Sequence, residues 1–387
     1  MSTKFKRVPL SKLVSPQRPI VYGIVQAGEN IPGGVPYIRS TDVGETLKAS
    51  DLLRTSAEIA ARYARSVVSP GDIVFSLRGN IGESSIVPKE LAGANLTQGT
   101  ARISICADHS ASFIRYALNQ TEVHRRILAV AKGSTFHEIT LEDLRNLEVP
   151  VPTLREQEKI ANILSTWDEA LGKIASLLNA KDRHYSGLLE AALKRDLHKM
   201  CKVRDVTLET GPRNRELGVQ QVLSVTKARG FILPEDYFDK QVASADTSGY
   251  KIVKRGEFAY NPSRINVGSI ARLDHWEEGI VSPVYVVFAL NDRVHPDFFF
   301  HWLKSHEARS RIRRSAQGSV RDSVSFADFG SIRFPLPSKE RQRVIATYLN
   351  AAQTEISILR QKRAALDKQK RGLMQVLLTG RKRVKTN

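Results

Sequence analysis

The feature that most constrains this chain is that it repeats itself. Moved by 185 positions, GSTFHEITLEDLRNLEVPVPTLREQEKIANIL, starting at Gly133, lies over GSVRDSVSFADFGSIRFPLPSKERQRVIATYL, starting at Gly318, without a gap. Identities in this register include Asp143/Asp328, Pro150/Pro335, Pro152/Pro337, Gln157/Gln342, Ile160/Ile345, Ala161/Ala346 and Leu164/Leu349. The offset holds downstream at Gly187/Gly372 and Leu193/Leu378, and upstream at Phe113/Phe298, Gly71/Gly256 and Thr41/Thr226. One register kept over so much of a chain marks an internal duplication.

Both copies read in the same order. PGDIVFSLRGNIGESSIV (70–87) and RGEFAYNPSRINVGSIARL (255–273) are predicted as strand, glycine-containing turn, strand. A short helix near 113–128, or 298–313, is followed by a Gly-Ser turn, a short apolar strand, a proline pair and a long helix. In the first long helix Ile160, Leu164, Trp167, Leu171, Ile174, Leu178, Lys181, Tyr185, Leu188 and Ala192 advance by alternate steps of four and three. In the second the same steps join Ile345, Leu349, Ala352, Ile356, Leu359, Arg363, Leu366, Lys370, Leu373 and Leu377. That is a heptad seam, and it predicts a coiled coil. Thr153 with Glu156 spells a capping box, while Ser338 faces Arg341 and keeps half of it.

Helices of roughly 40 residues run about 60 Å and cannot hide such a stripe alone. The simplest solution is antiparallel packing of the two within one chain, with the globular regions at opposite ends. A homodimer through the helices is the competing arrangement. Lys181, Arg363 and Lys370 interrupt the stripe and are expected to fix register or to lie near an end. The expected class is α+β, with α/β domains at 1–152 and 201–337, helical spacers at 153–200 and 338–380, and a frayed basic tail at 381–387.

The net charge of +19 favours a polyanionic partner. Its placement says more. Lys plus Arg against Asp plus Glu is 18 to 14 in residues 1–152, 8 to 7 in 153–200, 20 to 16 in 201–337 and 13 to 3 in 338–387. The globular halves are thus only mildly basic, and any reading of nucleic acid by them must come from local loops. No apolar run is long enough to span a bilayer, and the N-terminus lacks the apolar core of a signal peptide, so a cytoplasmic protein with no membrane partner is expected. Cys106 and Cys201 stand far apart, without metal or redox spacing.

Catalytic patterns are missing from the sequence. It has no GxxxxGK[ST] loop, no GxGxxG and no HxxxH or HExxH, so neither a catalytic nor a metal site is expected. Asn261-Pro262-Ser263-Arg264 is similar to the Asn-Pro-Pro-aromatic loop of amino-methyltransferases, but it lacks the second proline and the stacking aromatic. It reads better as a polar turn. Asp72, Glu83 and Lys89 have no equivalent set in the second copy and read as charged strand ends.

What the loops offer is side chains that read base edges. The first copy has Arg39, Ser40 and Thr41, then Arg78 and Asn80, then Gln98 and Thr100, then Lys132, Ser134 and His137. The second has Ser224, Thr226 and Lys227, then Asn261, Arg264 and Asn266, then Gln317, Ser319 and Arg321. Arg makes two bonds to guanine and Asn or Gln two to adenine, while Ser, Thr and Lys suit phosphates. Each residue taken singly could equally be a solvated loop side chain. The placement is shared between copies and the side chains differ, as reading two unlike half-sites requires.

The whole pattern resembles the specificity (S) subunits of type I restriction–modification systems. Their proline pair and E-Q-x-x-I-A-x-x-L helix start appear as PVPTLREQEKIANIL (150–164) and, with Glu340 and Arg341 departing, as PLPSKERQRVIATYL (335–349). The resemblance covers nearly the whole chain and is specific in the repeat and helices, weak in the loops. It implies two target recognition domains spaced by an antiparallel coiled coil, in a protein that is not itself an enzyme. Such a subunit binds double-stranded DNA at a bipartite site and holds two methyltransferase (M) subunits, which restriction (R) subunits join. S-adenosylmethionine, ATP and Mg²⁺ would belong to those partners, with no cofactor on this chain. The helices would then act as a ruler for a non-specific spacer. The basic set Lys362, Arg363, Lys368, Lys370 and Arg371 would face spacer phosphates or an acidic patch of an M subunit. A stand-alone DNA-binding regulator dimerising through the helices is the alternative function.

Overall fold

The computed structural model describes residues 5–44, 46–131, 138–194, 199–227, 229–236, 246–317 and 323–385. The chain divides into two compact units, residues 1–174 with 362–387, and residues 175–361. Each contains one globular domain and part of both long helices.

The first unit runs β1 (Lys6–Pro9), β2 (Val21–Tyr22), β3 (Val35–Ile38), β4 (Leu53–Thr55), α1 (Ala57–Arg62), β5 (Ile73–Ser76), β6 (Ser84–Ile86), β7 (Asn95–Leu96) and β8 (Thr100–Ile103). It continues with α2 (Ala111–Leu118), α3 (Thr121–Val130), α4 (Leu141–Asn146), β9 (Glu148–Val151) and the start of α5 (Leu154–Ala192). Its centre is an antiparallel sheet ordered β2-β8-β5-β6, beside a sheet ordered β4-β3-β7. Strand alternation divides the core. Ile73 and Phe75 join a cluster with Phe113, Leu118 and Ile127 of the helices, while Val74 joins Ile38, Val68 and Leu96 on the other face. The β5–β6 turn needs its glycines: Gly79 and Gly82 sit at φ +72° and +88°, and a Cβ on Gly82 would meet the His124 ring at 2.7 Å.

The second unit repeats this plan with β10 (Lys199–Lys202), β11 (Thr207–Glu209), β12 (Ser224–Thr226), β13 (Gly230–Ile232), β14 (Lys251–Lys254), β15 (Phe258–Tyr260), β16 (Ile270–Arg272), β17 (Glu278–Val281) and β18 (Val286–Leu290). Then come α6 (Pro296–Lys304), α7 (His306–Gln317), α8 (Phe326–Ser331), β19 (Arg333–Leu336) and α9 (Lys339–Leu377). The sheet order β11-β18-β15-β16 matches that of the first unit. Asp143 and Asp328, identical in the repeat, close equivalent capping boxes with Thr140 and Ser325 at the starts of α4 and α8.

The repeated glutamines explain how helix and domain are joined. Gln157 is fully buried; its amide donates to Pro152 O (2.9 Å) and its carbonyl accepts from Ser110 N (2.9 Å), the N-cap of α2. Gln342 does the same with Pro337 O (2.9 Å) and His295 N (2.6 Å), the N-cap of α6.

The helices pack antiparallel within each unit. In the first, Ile160 and Leu164 of α5 share a core with Leu377 of α9 and the following Leu378. In the second, Leu189 and the Leu193 just beyond α5 share one with Ile345 and Leu349 of α9. The predicted seam is buried at Ile160, Leu164, Leu178, Ile345, Leu349 and Ile356, and half-buried at Trp167, Leu171, Ile174, Leu359, Leu366 and Leu373. Two readings change. Leu188 is exposed while Leu189 and Leu193 are buried, because a 3.6-residue helix drifts out of a strict heptad. The basic tail is not frayed: Arg383 binds the Glu156 carboxylate through two bonds of 2.7 Å, stacks on Phe5 at 5.0 Å, and Val384 packs on the core. Arg383 holds the Glu156 carboxyl below the usual carboxylate range. Of the three residues that interrupt the stripe, Lys181 bonds Glu355 at 2.8 Å and Lys370 bonds Asp168, both of them register-fixing ion pairs.

At equivalent positions the two domain–helix junctions carry unlike chemistry. In the first unit, the Tyr116 hydroxyl and Lys370 both bond Asp168. In the second, the buried ring of His301 accepts from the Tyr185 hydroxyl at Nδ1 (2.8 Å) and donates from Nε2 to Asn350 Oδ1 (2.8 Å). Asn350 in turn donates to Asp297 (2.9 Å). Burial pushes the imidazole pKa down from 6.5 to about 4, which favours the neutral ring that these roles require.

Two measurements check these interactions. Gln157→Ala leaves a buried carbonyl and a half-buried N–H without their side-chain partner, and should lower unfolding stability by about 1–3 kcal/mol in a urea titration. As pH falls below 6.5 the unfolded chain takes up a proton that folded His301 refuses until about 4. His301 thus adds a stability term that is complete above pH 6.5 and lost towards pH 4, up to ~3 kcal/mol. His301→Gln should flatten that part of the stability–pH curve.

Candidate nucleic-acid interface

In the first unit three predicted turns converge. Arg39 follows β3 and precedes a short 3₁₀ turn, Ser40–Asp42. Arg78 and Asn80 lie in the β5–β6 turn, Gln98 lies between β7 and β8, and Thr100 begins β8. A Cβ on Gly99 would lie 3.2 Å from Arg78 Nε and 3.6 Å from Ser40 Oγ, so the glycine makes room for both. Leu77 N donates to Gly99 O (2.9 Å) and Thr97 N to Ile38 O (3.1 Å), which ties the three together. Beside them opens a cleft of about 800 Å³ lined by Val43, Gly79, Asn80, Ile81, Glu83 and Leu128.

Exposure sorts the candidates. Thr41 and Asn80 are exposed, and Arg39, Ser40, Arg78 and Gln98 are half-buried. Thr100 must be withdrawn. It is fully buried, and its hydroxyl bonds Ile38 O and Thr97 O (both 3.1 Å), closing the turn from inside. Asp42 was overlooked by sequence reading. Its carboxylate accepts from Arg39 N (2.9 Å), Nε (3.0 Å) and Nη2 (2.7 Å), and an acid three residues beyond an Arg in a polar turn was the signal available.

The second unit gathers the corresponding groups on the β12–β13 hairpin and the β15–β16 turn. Ser269 Oγ donates to Val225 O (3.0 Å) and binds hairpin to turn. Gly268, at φ +99°, lies under Lys227, whose Cγ would be 3.3 Å from a Cβ there. Lys227 and Arg264 are exposed, while Ser224, Thr226, Asn261 and Asn266 are half-buried. The Thr226 hydroxyl accepts from Arg229 N (3.2 Å) and donates to Gly230 O (3.3 Å), so it is engaged in its own hairpin. Asn261 Oδ1 accepts from Ser263 N (3.0 Å), making Asn261–Arg264 the polar turn expected. The Asn266 side-chain oxygen is buried and has no hydrogen-bond partner among the described residues. Lys132, Ser134, His137, Ser319, Arg321 and the side chain of Gln317 lie outside the described residues.

The acidic set at the strand ends does not assemble. Asp72 is buried, paired with Arg18 at 2.8 Å and bonded by Ser104 Oγ at 2.7 Å, whereas Glu83 and Lys89 are exposed. Among the described residues no group of three or more His, Cys, Asp or Glu could hold a metal ion. Among them, too, no helix is long and apolar enough to cross a membrane.

Residues 25–179 and 249–368 match the family model described as type I restriction modification DNA specificity domain. The chain belongs to that family. It is a type I specificity subunit, a DNA-recognition component with two target recognition domains. The subunit is 21% identical over 393 residues to the type I restriction enzyme MjaVIII specificity subunit of Methanocaldococcus jannaschii, covering 93% of this chain and 89% of the relative. Its fold is that of the type I restriction–modification S subunit from M. genitalium, with a TM-score of 0.64 at 18% identity over 97% of this chain and 96% of that one. A chain from a study of complex assembly and conformational transition of the type I R-M system also matches, with a TM-score of 0.53 at 14% identity over 97% and 98% of the two chains.

Replacing Thr100 by Val should cost about 1 kcal/mol of stability, from loss of the hydrogen bond its single hydroxyl hydrogen shares between Ile38 O and Thr97 O, offset by an apolar methyl. Base preference in a DNA-binding selection should be unchanged, which separates this structural residue from its exposed neighbours.

Proposed function

We propose that the subunit reads a bipartite DNA target, one half-site per recognition domain, and docks methyltransferase subunits without performing a chemical step itself. The observation that carries this reading is the duplicated turn cluster. Arg78–Asn80 and Asn261–Asn266 lie in equivalent turns of two sheets of the same order, and Arg39–Thr41 and Thr226–Lys227, partly matched in the repeat, lie beside them, yet the two clusters offer different donors. Equal scaffolds with unequal tips suit two unequal half-sites.

Docking is supported by apolar side chains that the helices leave in solvent. Val344, Tyr348 and Ile358 on α9 are 44%, 69% and 58% exposed, and Leu177 and Leu188 on α5 are also uncovered. Exposed apolar groups on a helix already holding its partner suit a further protein surface. S-adenosylmethionine, ATP and Mg²⁺ would be bound by the M and R subunits. Of the basic set on α9, Lys370 is committed to Asp168, while Lys362, Arg363, Lys368 and Arg371 are exposed. Those four would lie along spacer phosphates and contribute salt-dependent affinity.

Each helix of 39 residues is about 60 Å long, between one and two turns of DNA at roughly 34 Å each, so helix length would set the spacer. Co-expression with M subunits followed by mapping of methylated bases should give a two-part motif. Deleting one heptad from both helices should shorten the spacer and leave both half-sites unchanged. A methylome with no motif dependent on this chain would overturn the function, and unchanged spacing would overturn the ruler.

A further inference from the structure

We propose that Arg39, clamped by Asp42, reads a guanine in the half-site of the first recognition domain, and that Asp42 is the residue that positions it. The inference rests on the proposed reading of DNA by this domain and goes further by naming a base. Asp42 binds the Nε–Nη2 edge of the guanidinium in two places, at 3.0 and 2.7 Å, and anchors itself on Arg39 N at 2.9 Å. Its side chain is only 9% exposed, against 37% for Arg39, so the clamp lies on the protein side of the pair. What remains is the end-on edge, Nη1 and the second Nη2 hydrogen. Two parallel donors there match guanine N7 and O6 in the major groove.

Electrostatics decides between a base and a phosphate. The carboxylate neutralises most of the guanidinium charge, and attraction to the phosphate backbone is set by uncompensated charge. A neutralised Arg is thus a weak phosphate ligand. It keeps its directional donors, already fixed in one rotamer, and those serve a neutral, shaped acceptor such as a base edge. The equivalent position of the second domain carries different chemistry: 185 residues beyond Asp42 stands the exposed Lys227, whose charge suits phosphate. Within the first domain Arg39 is next to Ser40, which with Arg78 borders Gly99, so the clamp lies in the convergent turn cluster.

The test is selection of bound duplexes from a randomised library by the full chain assembled with M subunits, followed by sequencing. Wild type should enrich a first half-site containing one G·C pair that Arg39→Ala no longer selects, a loss of about 5- to 150-fold at that position. Placing 7-deazaguanine there, which removes N7, should weaken wild type and leave Arg39→Ala unaffected. Asp42→Asn should relax the same position while raising non-specific affinity and steepening its salt dependence. Retention of the second half-site reports that each variant is folded. The proposal is overturned if Arg39→Ala keeps every base preference, or loses only salt-dependent affinity as a phosphate contact would. If wild type itself enriches no motif, the failure lies with the proposed function rather than with the clamp.

Discussion

Two buried glutamine side chains, Gln157 and Gln342, bind each recognition domain to the helix that follows it. Each bridges the carbonyl of the second proline in its pair and the backbone N–H that caps the next-nearest helix of the domain. Among the described residues neither group has another partner, so the amide must be present and correctly turned. Strand end, domain helix and long helix are fixed at one point. The seam leucines, the junction residues and the placement of the recognition turns follow from that entry angle. The Pro-x-Pro…Gln spacing of the repeat is therefore a geometric requirement, met twice.

Much of this was legible because periodicity survives in a sequence. The register of 185, the heptads, the proline pairs and the glycine turns name the elements and their order. What stayed hidden depends on the third dimension. Thr100 and Gln98 are both polar and two apart in one turn, and only the packing of β3 over that turn shows that Thr100 points inward, to Ile38 O. The strict heptad points to Leu188, but the drift of a real helix selects Leu189. Arg383 looks like one more charge of a basic tail until the chain brings it to Glu156, 227 residues away.

The duplication keeps the order of its main sheet and is unlike in chemistry. Tyr116–Asp168–Lys370 is a junction built on a salt bridge, and His301–Tyr185–Asn350 one built on a buried imidazole. The ion pairs between α5 and α9 likewise have a fixed sense: Asp168 to Lys370, Lys181 to Glu355 and Asp182 to Arg360. Apolar seams are permissive about their partner, and such pairs add discrimination at small cost in stability.

The core of the first unit contains Leu377 and Leu378, with Leu373 packed against it, residues that follow the whole second domain in the chain. The ribosome therefore makes the first domain early but cannot supply its last wall until the second domain has been made. The second domain meets no such delay, since Leu189 and Leu193 precede it in the chain. The domain made first is finished last. A nascent chain must hold an open apolar face while the second domain is made, and a premature stop before Leu373 would damage the first domain.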